Sequence, residues 1–340
     1  MKLTKSIFGQ LSSGENVEAF LLENENGMSV NLISLGAIIT SIKSPNKNGQ
    51  SGETVLGFND LESYIKPHPH FGAVVGRVAN RISNAAFVLE GHKYTLVKNN
   101  GDHHLHGGHN GFDKQNWHCM TFQNEQSISV IMEHTSPDST ENYPGTLFCS
   151  IVFTLHQYNQ LDIEYIARSD KTTILNLSHH EYFNLKDGGQ TPAYDHLLKI
   201  HSSQYTPCDK DVCPTGEIKS VINSALDFKE WKTIQSQILK LDGAIEAGKG
   251  FDNNYILDKD THLSLVAEVK EMTSGRCLNV YSTKRCVQFY TAGHLDGTLH
   301  RDEHKFFAYH GFCLIFQAIF YQPIRFIIIK RFISFRFCKI

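Results

Sequence analysis

Residues 176–185, near the middle of the chain, carry the side chains best suited to acid–base chemistry. They follow a run typical of a β-strand and end at a turn signal, so we expect this stretch to be extended. Side chains alternate between the two faces of a strand, which places Ser178, His180 and Tyr182 on one face. An imidazole with a pKa of ~6.5 can give or take a proton near neutral pH. Taken alone, the pattern is also compatible with surface histidines on an ordinary strand.

Four further stretches contain polar side chains that could contact a small polar ligand. They are residues 76–82 with Asn80 and Arg81, 103–109 with His104 and His106, 250–255 with Asp252, and 287–291 with Gln288. Amide and guanidinium groups at fixed positions donate hydrogen bonds to hydroxyls or carboxylates. His104 and His106 are two residues apart, which predicts that they share a strand face.

A metal-dependent enzyme on a β-barrel is a different interpretation of the same histidines. His104 and His106, with His180 or Glu181, could supply two imidazoles and a carboxylate to one cation. This hypothesis predicts a bound metal and sensitivity to a chelator. We interpret His68 and His70, in a loop with two prolines, as solvated residues that could rim a cleft.

The surrounding sequence consists of short alternating runs separated by turn signals. Strands are predicted at residues 30–35, 37–42, 87–89, 94–97, 127–132, 147–155, 161–166, 263–269 and 287–290. The spacing of Trp231, Ile234, Ile238 and Leu241 predicts one amphipathic helix. Many short strands with Gly, Asn, Asp and Pro turns are typical of an antiparallel sandwich or barrel, so the predicted fold class is all-β. No repeat or composition break divides the chain, which indicates one large β domain.

The bulk composition argues against several classes of protein. With 340 residues, 41% of them hydrophobic, the chain can bury a large core. A formal net charge of −3 gives no reason to expect a nucleic-acid partner. The eight cysteines include no CxxC pair, which predicts free thiols in a reduced, cytoplasmic protein. Residues 1–20 lack the apolar segment of a signal peptide, and no run of ~18 apolar residues predicts a membrane span.

Taken in chain order, these stretches resemble the galactose mutarotase (aldose 1-epimerase) family. The matching segments include residues 26–28, 35–39, 56–58, 71–82, 105–108, 111–114, 143–145, 214–218 and 287–291. No single segment is specific for the family, but so many matches in the same order are specific. Together they span nearly the whole chain. The resemblance implies a galactose mutarotase-like β-supersandwich of mostly antiparallel strands, with a sugar-binding cleft across one sheet.

The resemblance also implies an isomerase that uses no metal and no organic cofactor. The family interconverts the α and β anomers of free aldohexoses such as galactose and glucose, with an acid at the ring oxygen and a base at the C1 hydroxyl. By position, His180 matches the general acid and His106 the second active-site histidine. The substrate-binding positions match Asn80, Arg81, Tyr182, Asp252 and Gln288. The expected ligand is a small aldohexose, with no nucleic-acid or membrane partner, for a monomer or weak homodimer.

The resemblance fails near the C-terminal end. The family's general base is a glutamate directly after the segment that here is residues 311–314, and this chain has Ile315 and Phe316 instead. From residue 315 to 340 the chain has eight Ile, six Phe, five Lys or Arg, and no Asp, Glu or Gly. Two explanations stay open: a genuine tail in a weakened or inactive enzyme, or a shift of reading frame near Ile315.

The sequence therefore predicts an aldose 1-epimerase-like β-sandwich domain over residues 1–314 and a divergent tail over 315–340. Activity is expected to be impaired, since losing one acid–base partner typically lowers a rate ~10²–10⁴-fold. The alternative function is sugar binding without catalysis. Within the tail, Ile333, Phe335 and Phe337 alternate with Ser334 and Arg336, which predicts a strand.

Overall fold

The computed structural model describes residues 1–241, 250–318, 322–324 and 329–340. These residues form mainly antiparallel β-strands, which confirms the predicted all-β fold class. Parts of the divergent tail, residues 319–321 and 325–328, lie outside the described residues, as do residues 242–249.

The N-terminal residues form a five-stranded sheet in which every strand pairs with its neighbours in sequence. Its strands are β1 (Lys2–Gln10), β2 (Asn16–Glu23), β3 (Ser29–Ile33), β4 (Ile38–Pro45) and β5 (Ser51–Glu53). The turn between β4 and β5 is closed by Asn46, whose Oδ1 accepts hydrogen bonds from the backbone N–H groups of Asn48 and Gln50.

The largest sheet contains nine described strands. In spatial order they are β11 (His118–Gln123), β12 (Ser127–Ser136), β13 (Leu147–His156), β14 (Gln160–Ser169), β30 (Ile329–Lys339), β24 (Arg276–Ser282), β23 (Ser264–Glu271), β18 (Leu197–Ile200) and β21 (Lys232–Thr233). Every second side chain of β13, from Leu147 to Leu155, is buried. That period of two is the signal by which the sequence predicts this strand.

The C-terminal strand β30 lies inside the nine-stranded sheet rather than at its edge. It pairs with β14 on one side and with β24 on the other. Ile333, Phe335 and Phe337 are buried, and the Phe335 ring lies 5.3 Å from that of Phe183, measured between centroids. The strand predicted within the tail is therefore confirmed, whereas a domain division at residue 315 stays a prediction.

A six-stranded sheet carries several of the stretches singled out in the sequence. In spatial order its strands are β17 (Tyr182–Phe183), β28 (Phe312–Gln317), β25 (Cys286–Tyr290), β22 (Asp252–Leu257), β19 (Ser202–Thr206) and β20 (Lys219–Ser220). One face of this sheet joins the main core through residues such as Tyr255, Phe289 and Phe316. Side chains at the alternate positions face away from that core.

Five two-stranded ladders complete the described β structure. They are β6 (Val74–Val75) with β16 (Ser178–His179), β7 (Arg81–Ile82) with β10 (His104–Leu105), β8 (Ala86–Leu89) with β9 (His92–Thr95), β15 (Thr173–Leu175) with β29 (Gln322–Ile324), and β26 (Asp296–Arg301) with β27 (His304–Phe307). The first two ladders matter most for the site, because they bring the stretches around Asn80, His106 and His180 together.

Helical structure in the described residues is short. Helix α1 (Leu61–Ile65) begins after Asp60, whose side chain accepts from the Ser63 backbone N–H. Helix α2 (Ile234–Ile238) begins after Thr233 in the same way, so the helix predicted from Trp231 onward starts later than its apolar spacing suggests. Within the described ranges, no helix is long and apolar enough to cross a membrane.

The main core lies between the nine-stranded sheet and the other two large sheets. Its buried side chains come from all three, including Leu22 of β2, Ile151 of β13 and Phe289 of β25. A second cluster, which includes Phe58, Phe71 and Tyr182, lies beside it and contacts the cleft described below.

One cysteine pair contradicts the expectation of free thiols throughout. Cys277 of β24 and Cys338 of β30 are cross-strand partners with Cα atoms 5.0 Å apart, and they form a disulfide. The other six cysteines are free. The two half-cystines are separated by 61 residues, so their spacing carried no signal, and only the strand register brings them together.

Candidate active site

The residues predicted to act on or bind a ligand line a single cleft. These residues are Asn80, Arg81, His106, His180, Tyr182, Asp252 and Gln288. The cleft has a volume of about 260 Å³ and is also lined by Pro69, His70, Leu105, Tyr290, His294 and Ile315. Strand alternation explains how one sheet serves both core and cleft: Gln288 faces the cleft, whereas its neighbour Phe289 faces the core. The structure thus places the predicted residues together, and their roles stay predictions.

Asn80, Asp252 and Gln288 line the base of the cleft and form a hydrogen-bonded layer with Asn254 and Gln317, which we call the polar floor. Gln288 Nε2 donates to Asp252 Oδ1 at 2.7 Å, and Gln288 Oε1 accepts from Asn80 Nδ2 at 3.2 Å and from Gln317 Nε2 at 3.2 Å. Gln317 Nε2 also donates to Asn254 Oδ1 at 2.7 Å. These contacts fix the orientation of each amide, so the floor offers a preset pattern of donors and acceptors.

Two charged side chains contribute to this surface: Asp252 within the polar floor and Arg81 beside it. Burial raises the pKa of Asp252, while the hydrogen bond from Gln288 and the charges of Arg81 and His294 act in the opposite direction. Arg81 Nε donates to Asn100 Oδ1 at 3.1 Å, which holds the guanidinium at the cleft. A carboxylate that only accepts and a guanidinium that only donates are suited to a ligand with several hydroxyl groups.

Arg77 anchors the segment that carries Asn80 and Arg81. Its buried guanidinium donates hydrogen bonds to the backbone carbonyls of Ser136, Pro137, Pro144 and Gly145. Asn80 adopts φ 69°, in the left-handed region that asparagine tolerates better than most residues. In this conformation the Asn80 backbone N–H donates to His106 Nδ1 at 3.1 Å. The neutral His106 ring therefore carries its proton on Nε2.

The rings of His70, His106 and His180 face one another at one side of the cleft, and we call them the imidazole wall. Their centroids are separated by 4.8 Å between His70 and His106, 5.3 Å between His106 and His180, and 5.8 Å between His70 and His180. Burial holds the pKa values of His106 and His180 well below their usual range, and the neighbouring imidazoles act in the same direction. Both rings are therefore predominantly neutral at pH 7.

His180 lies between β16 and β17, with its ring stacked on that of Tyr182. The centroids are 5.0 Å apart and the planes differ by 22°, which confirms that the two side chains share a face. The Tyr182 hydroxyl donates to the Pro69 carbonyl at 2.9 Å, so it ties this strand to the loop that carries His70. Cys313 Sγ lies 3.7 Å from His180 Nδ1, and burial raises the pKa of that thiol well above its usual value.

His70 is a cleft residue that the sequence indicated only as a loop residue able to rim the cleft. Its Nδ1 lies 2.9 Å from Oδ2 of the buried Asp113, which also pairs with Lys114 Nζ at 2.8 Å. Burial by itself raises the pKa of Asp113, but the hydrogen bonds from His70 and Lys114 and the charge of Lys114 hold it below the usual range. Asp113 is therefore ionised and accepts the Nδ1 proton of His70. The two residues are 43 positions apart in the sequence, and no sequence signal predicted this pair.

Two interpretations of other histidines are wrong. His68 is not solvated: it is buried against Phe58 and Tyr64, and its Nδ1 accepts from the Phe71 backbone N–H. His104 does not share a face with His106, because β10 ends at Leu105 and His106 turns away with φ 52°.

His104 instead has a structural set of partners. Its Nδ1 donates to the Val97 carbonyl at 2.7 Å, and its Nε2 accepts from the Tyr143 hydroxyl at 2.8 Å. Because both ring nitrogens of His104 are already hydrogen-bonded, His104 does not join His106 as a metal ligand. Among the described residues, no group of three or more His, Cys, Asp or Glu side chains could hold a metal ion.

Ile315 occupies the position at which the resemblance calls for a catalytic carboxylate. It is the cross-strand partner of Gln288 and lines the cleft, while Phe316 points into the main core. An isoleucine exchanges no proton, so this part of the cleft surface is chemically inert.

The fold and the cleft together define an antiparallel β-sandwich protein with a small cleft lined by imidazole, amide, carboxylate and guanidinium groups. The sequence profile of the aldose 1-epimerase family matches residues 18–325, beyond Ile315. Galactose mutarotase of Sus scrofa is 39% identical over 324 residues, covering 92% of this chain and 89% of the pig protein. Aldose 1-epimerase of Escherichia coli K12 is 33% identical over 302 residues, covering 88% and 86%.

A solved structure agrees with these relatives. The crystal structure of galactose 1-epimerase from Lactobacillus acidophilus NCFM matches with a TM-score of 0.89 and 25% identity, over 99% of each chain. The predicted galactose mutarotase-like fold is thus confirmed. The chain belongs to the aldose 1-epimerase family, which is a family of isomerases.

Proposed function

We propose that this chain interconverts the α and β anomers of free aldohexoses such as galactose and glucose by acid–base ring opening. The observation that carries the proposal is the position of His180 beside the polar floor within one small cleft. Relatives named galactose mutarotase and aldose 1-epimerase support the same class of substrate.

In the proposed reaction, the polar floor and Arg81 bind the sugar hydroxyls. The minor protonated form of His180 donates its proton to the ring oxygen O5, and a proton acceptor in the cleft takes the proton of the C1 hydroxyl. The C1–O5 bond then breaks to give the open aldehyde. His106, with its proton on Nε2, donates a hydrogen bond that stabilises charge on a reacting oxygen. After rotation about C1–C2, the ring closes on the other face of the aldehyde.

We expect the reaction to be slow. Ile315 replaces the carboxylate base that the family resemblance implies, and loss of such a group typically costs ~10²–10⁴-fold in rate. Non-catalytic sugar binding is the second candidate function, and Ile315 is the observation that favours it. A cytoplasmic location and a monomeric or weakly dimeric state stay predictions.

Polarimetry of freshly dissolved α-D-galactose tests the proposal. The purified protein should speed the approach to anomeric equilibrium, and His180→Ala should lower that rate ~10²–10⁴-fold. His109→Ala, which alters an exposed histidine of the loop after β10, is the matched control and should behave like the unmodified protein. If the protein leaves the uncatalysed rate unchanged but galactose raises its melting temperature, sugar binding without catalysis replaces the proposal.

A further inference from the structure

The cleft contains the proposed acid, His180, but Ile315 occupies the position where the family resemblance implies the partner base. Ring opening moves one proton onto O5 and another away from the C1 hydroxyl. A second proton-transfer group must therefore contact the C1 hydroxyl. Besides His180, the cleft-lining side chains with titratable groups are His70, Arg81, His106, Tyr182, Asp252, Tyr290 and His294.

Hydrogen bonds or pKa values argue against most of these groups as the proton acceptor. The neutral His106 ring holds its proton on Nε2 and uses Nδ1 to accept from Asn80, so it can only donate towards the cleft. Asp252 accepts from Gln288 as part of the polar floor. Burial holds the pKa values of Tyr182 and Tyr290 above their usual value, so neither phenol accepts a proton near neutrality.

His70 differs from these groups because its hydrogen bond leaves the acceptor nitrogen available. Nδ1–H donates to the ionised Asp113 carboxylate at 2.9 Å, which fixes the neutral tautomer with the lone pair on Nε2. The His70 ring lies 5.8 Å from that of His180, and both line the cleft. A buried carboxylate that orients an imidazole is a recurrent way to prepare a general base.

We propose that His70, oriented by Asp113, is the proton-transfer partner of His180 and takes the place of the missing carboxylate. The inference rests on the proposed function. In ring opening, His70 Nε2 takes the proton of the C1 hydroxyl, and the O–H electron pair becomes the second C1–O1 bond. The C1–O5 pair moves to O5, which receives a proton from His180 in its minor protonated form.

The step is balanced because the rings of His70 and His180 together carry one proton beyond their neutral state throughout. After opening, His180 is neutral and His70 is protonated. In ring closure the transfers reverse: O5–H attacks C1 and returns its proton to His180, while His70 returns a proton to O1. Asp113 touches neither oxygen and acts as a positioning residue that also stabilises the protonated ring of His70.

Two substitutions at His70 separate a chemical role from a structural one. His70→Gln keeps an N–H that can donate to Asp113 but has no basic nitrogen. It should lower kcat ~10²-fold or more and change KM by less than ~3-fold. His70→Ala leaves space for a small base, so added imidazole should restore part of its activity while leaving the unmodified protein unchanged. His109→Ala is again the control for an exposed histidine on a nearby loop.

Asp113→Asn tests the positioning role. The asparagine oxygen still accepts from Nδ1 but no longer stabilises the protonated ring, so kcat should fall without a matching rise in KM. Imidazole should not rescue this variant, because the His70 ring still fills its place. Melting curves with and without galactose show whether each variant is folded and binds the sugar.

The outcomes distinguish this inference from the proposed function. An active protein in which folded His70→Gln keeps its full kcat would overturn the role of His70 and leave the epimerase function intact. A loss of activity in His70→Ala that imidazole does not reverse would also count against proton transfer. A protein with no activity before any substitution would overturn the proposed function itself, and the role of His70 with it.

Discussion

The polar floor and the imidazole wall are adjacent surfaces of one cleft, but they are built on different principles. The floor is a closed network in which each amide is held by a neighbour, such as Gln288 between Asp252 and Gln317. In the wall, His106 meets the other two rings edge to face. His70 donates a hydrogen bond to a charged partner, Asp113.

This difference shows which part of the site tolerates change. A closed network loses several hydrogen bonds when one member is replaced, and leaving a buried polar group unsatisfied costs ~1–3 kcal/mol. A wall of imidazoles offers more than one nitrogen near the same ligand, so a proton-transfer role can move from one residue to another. Under the proposed function, ligand recognition would depend on one arrangement of the polar floor, whereas proton transfer could be shared among the imidazoles.

Acidification should produce the largest effect, with opposite signs for the buried histidines, two of which belong to the imidazole wall, and for Asp252 of the polar floor. Burial lowers the pKa values of His68 and His179 to about 3 and of His196 to about 4, and those of His106 and His180 fall as well. A depressed histidine pKa contributes stability above the unfolded value of 6.5, and this contribution is lost as pH falls towards the folded value. Between these two pKa values, each such histidine lowers the free energy of unfolding by ~1.4 kcal/mol for each pH unit of acidification.

Asp252 opposes this trend because its pKa is raised in the folded protein. Its contribution to stability is lost as the pH rises through the pKa of the folded state. The buried histidines outnumber it, so urea unfolding at pH 7 and pH 5 should show a loss of several kcal/mol in the free energy of unfolding at the lower pH. Equal stability at the two pH values would mean that these rings are not kept neutral by the fold.

Ile315→Glu should change the proton chemistry of the cleft without changing the polar floor. The new carboxylate would lie in the cleft beside Gln288 and supply the base that the isoleucine cannot. We expect kcat to rise ~10²-fold, while KM changes only a few-fold, because the hydroxyl-binding groups are retained. Polarimetric progress curves at several galactose concentrations measure both constants. Ile315→Gln, which has a similar shape and no basic oxygen, is the matched control and should not increase kcat.

Asp252→Asn should change the floor without changing the wall. It keeps a polar group for Gln288 but removes the charged acceptor for sugar hydroxyls, and a hydrogen bond to a charged group is worth ~1.5–3 kcal/mol. KM should therefore rise ~10-fold or more, with a smaller effect on kcat. Isothermal titration with galactose gives an independent measure of binding. If kcat fell and affinity stayed the same, the carboxylate would belong to the proton chemistry instead of to recognition.

Much of the floor could be predicted from the sequence because its residues lie in segments that resemble a family and alternate along strands. Gln288 and Asp252 occur on recognisable strands, and their orientation follows from a period of two. The wall was predicted only in part. His180 and Tyr182 followed the same rule, but His104 and His106 did not, because the chain turns at the end of β10 and gives His106 a positive φ.

By itself, the sequence determined the fold class, the family and the residue types available to the cleft, because these depend on local periodicity and on the order of short segments. It also determined that no carboxylate stands at position 315. Only the tertiary structure decided that His70 meets Asp113, that Cys277 meets Cys338, and that β30 completes the centre of the largest sheet. The physical reason is that such contacts depend on strand register and on loop conformations that bring distant residues together, and neither leaves a local pattern in the chain.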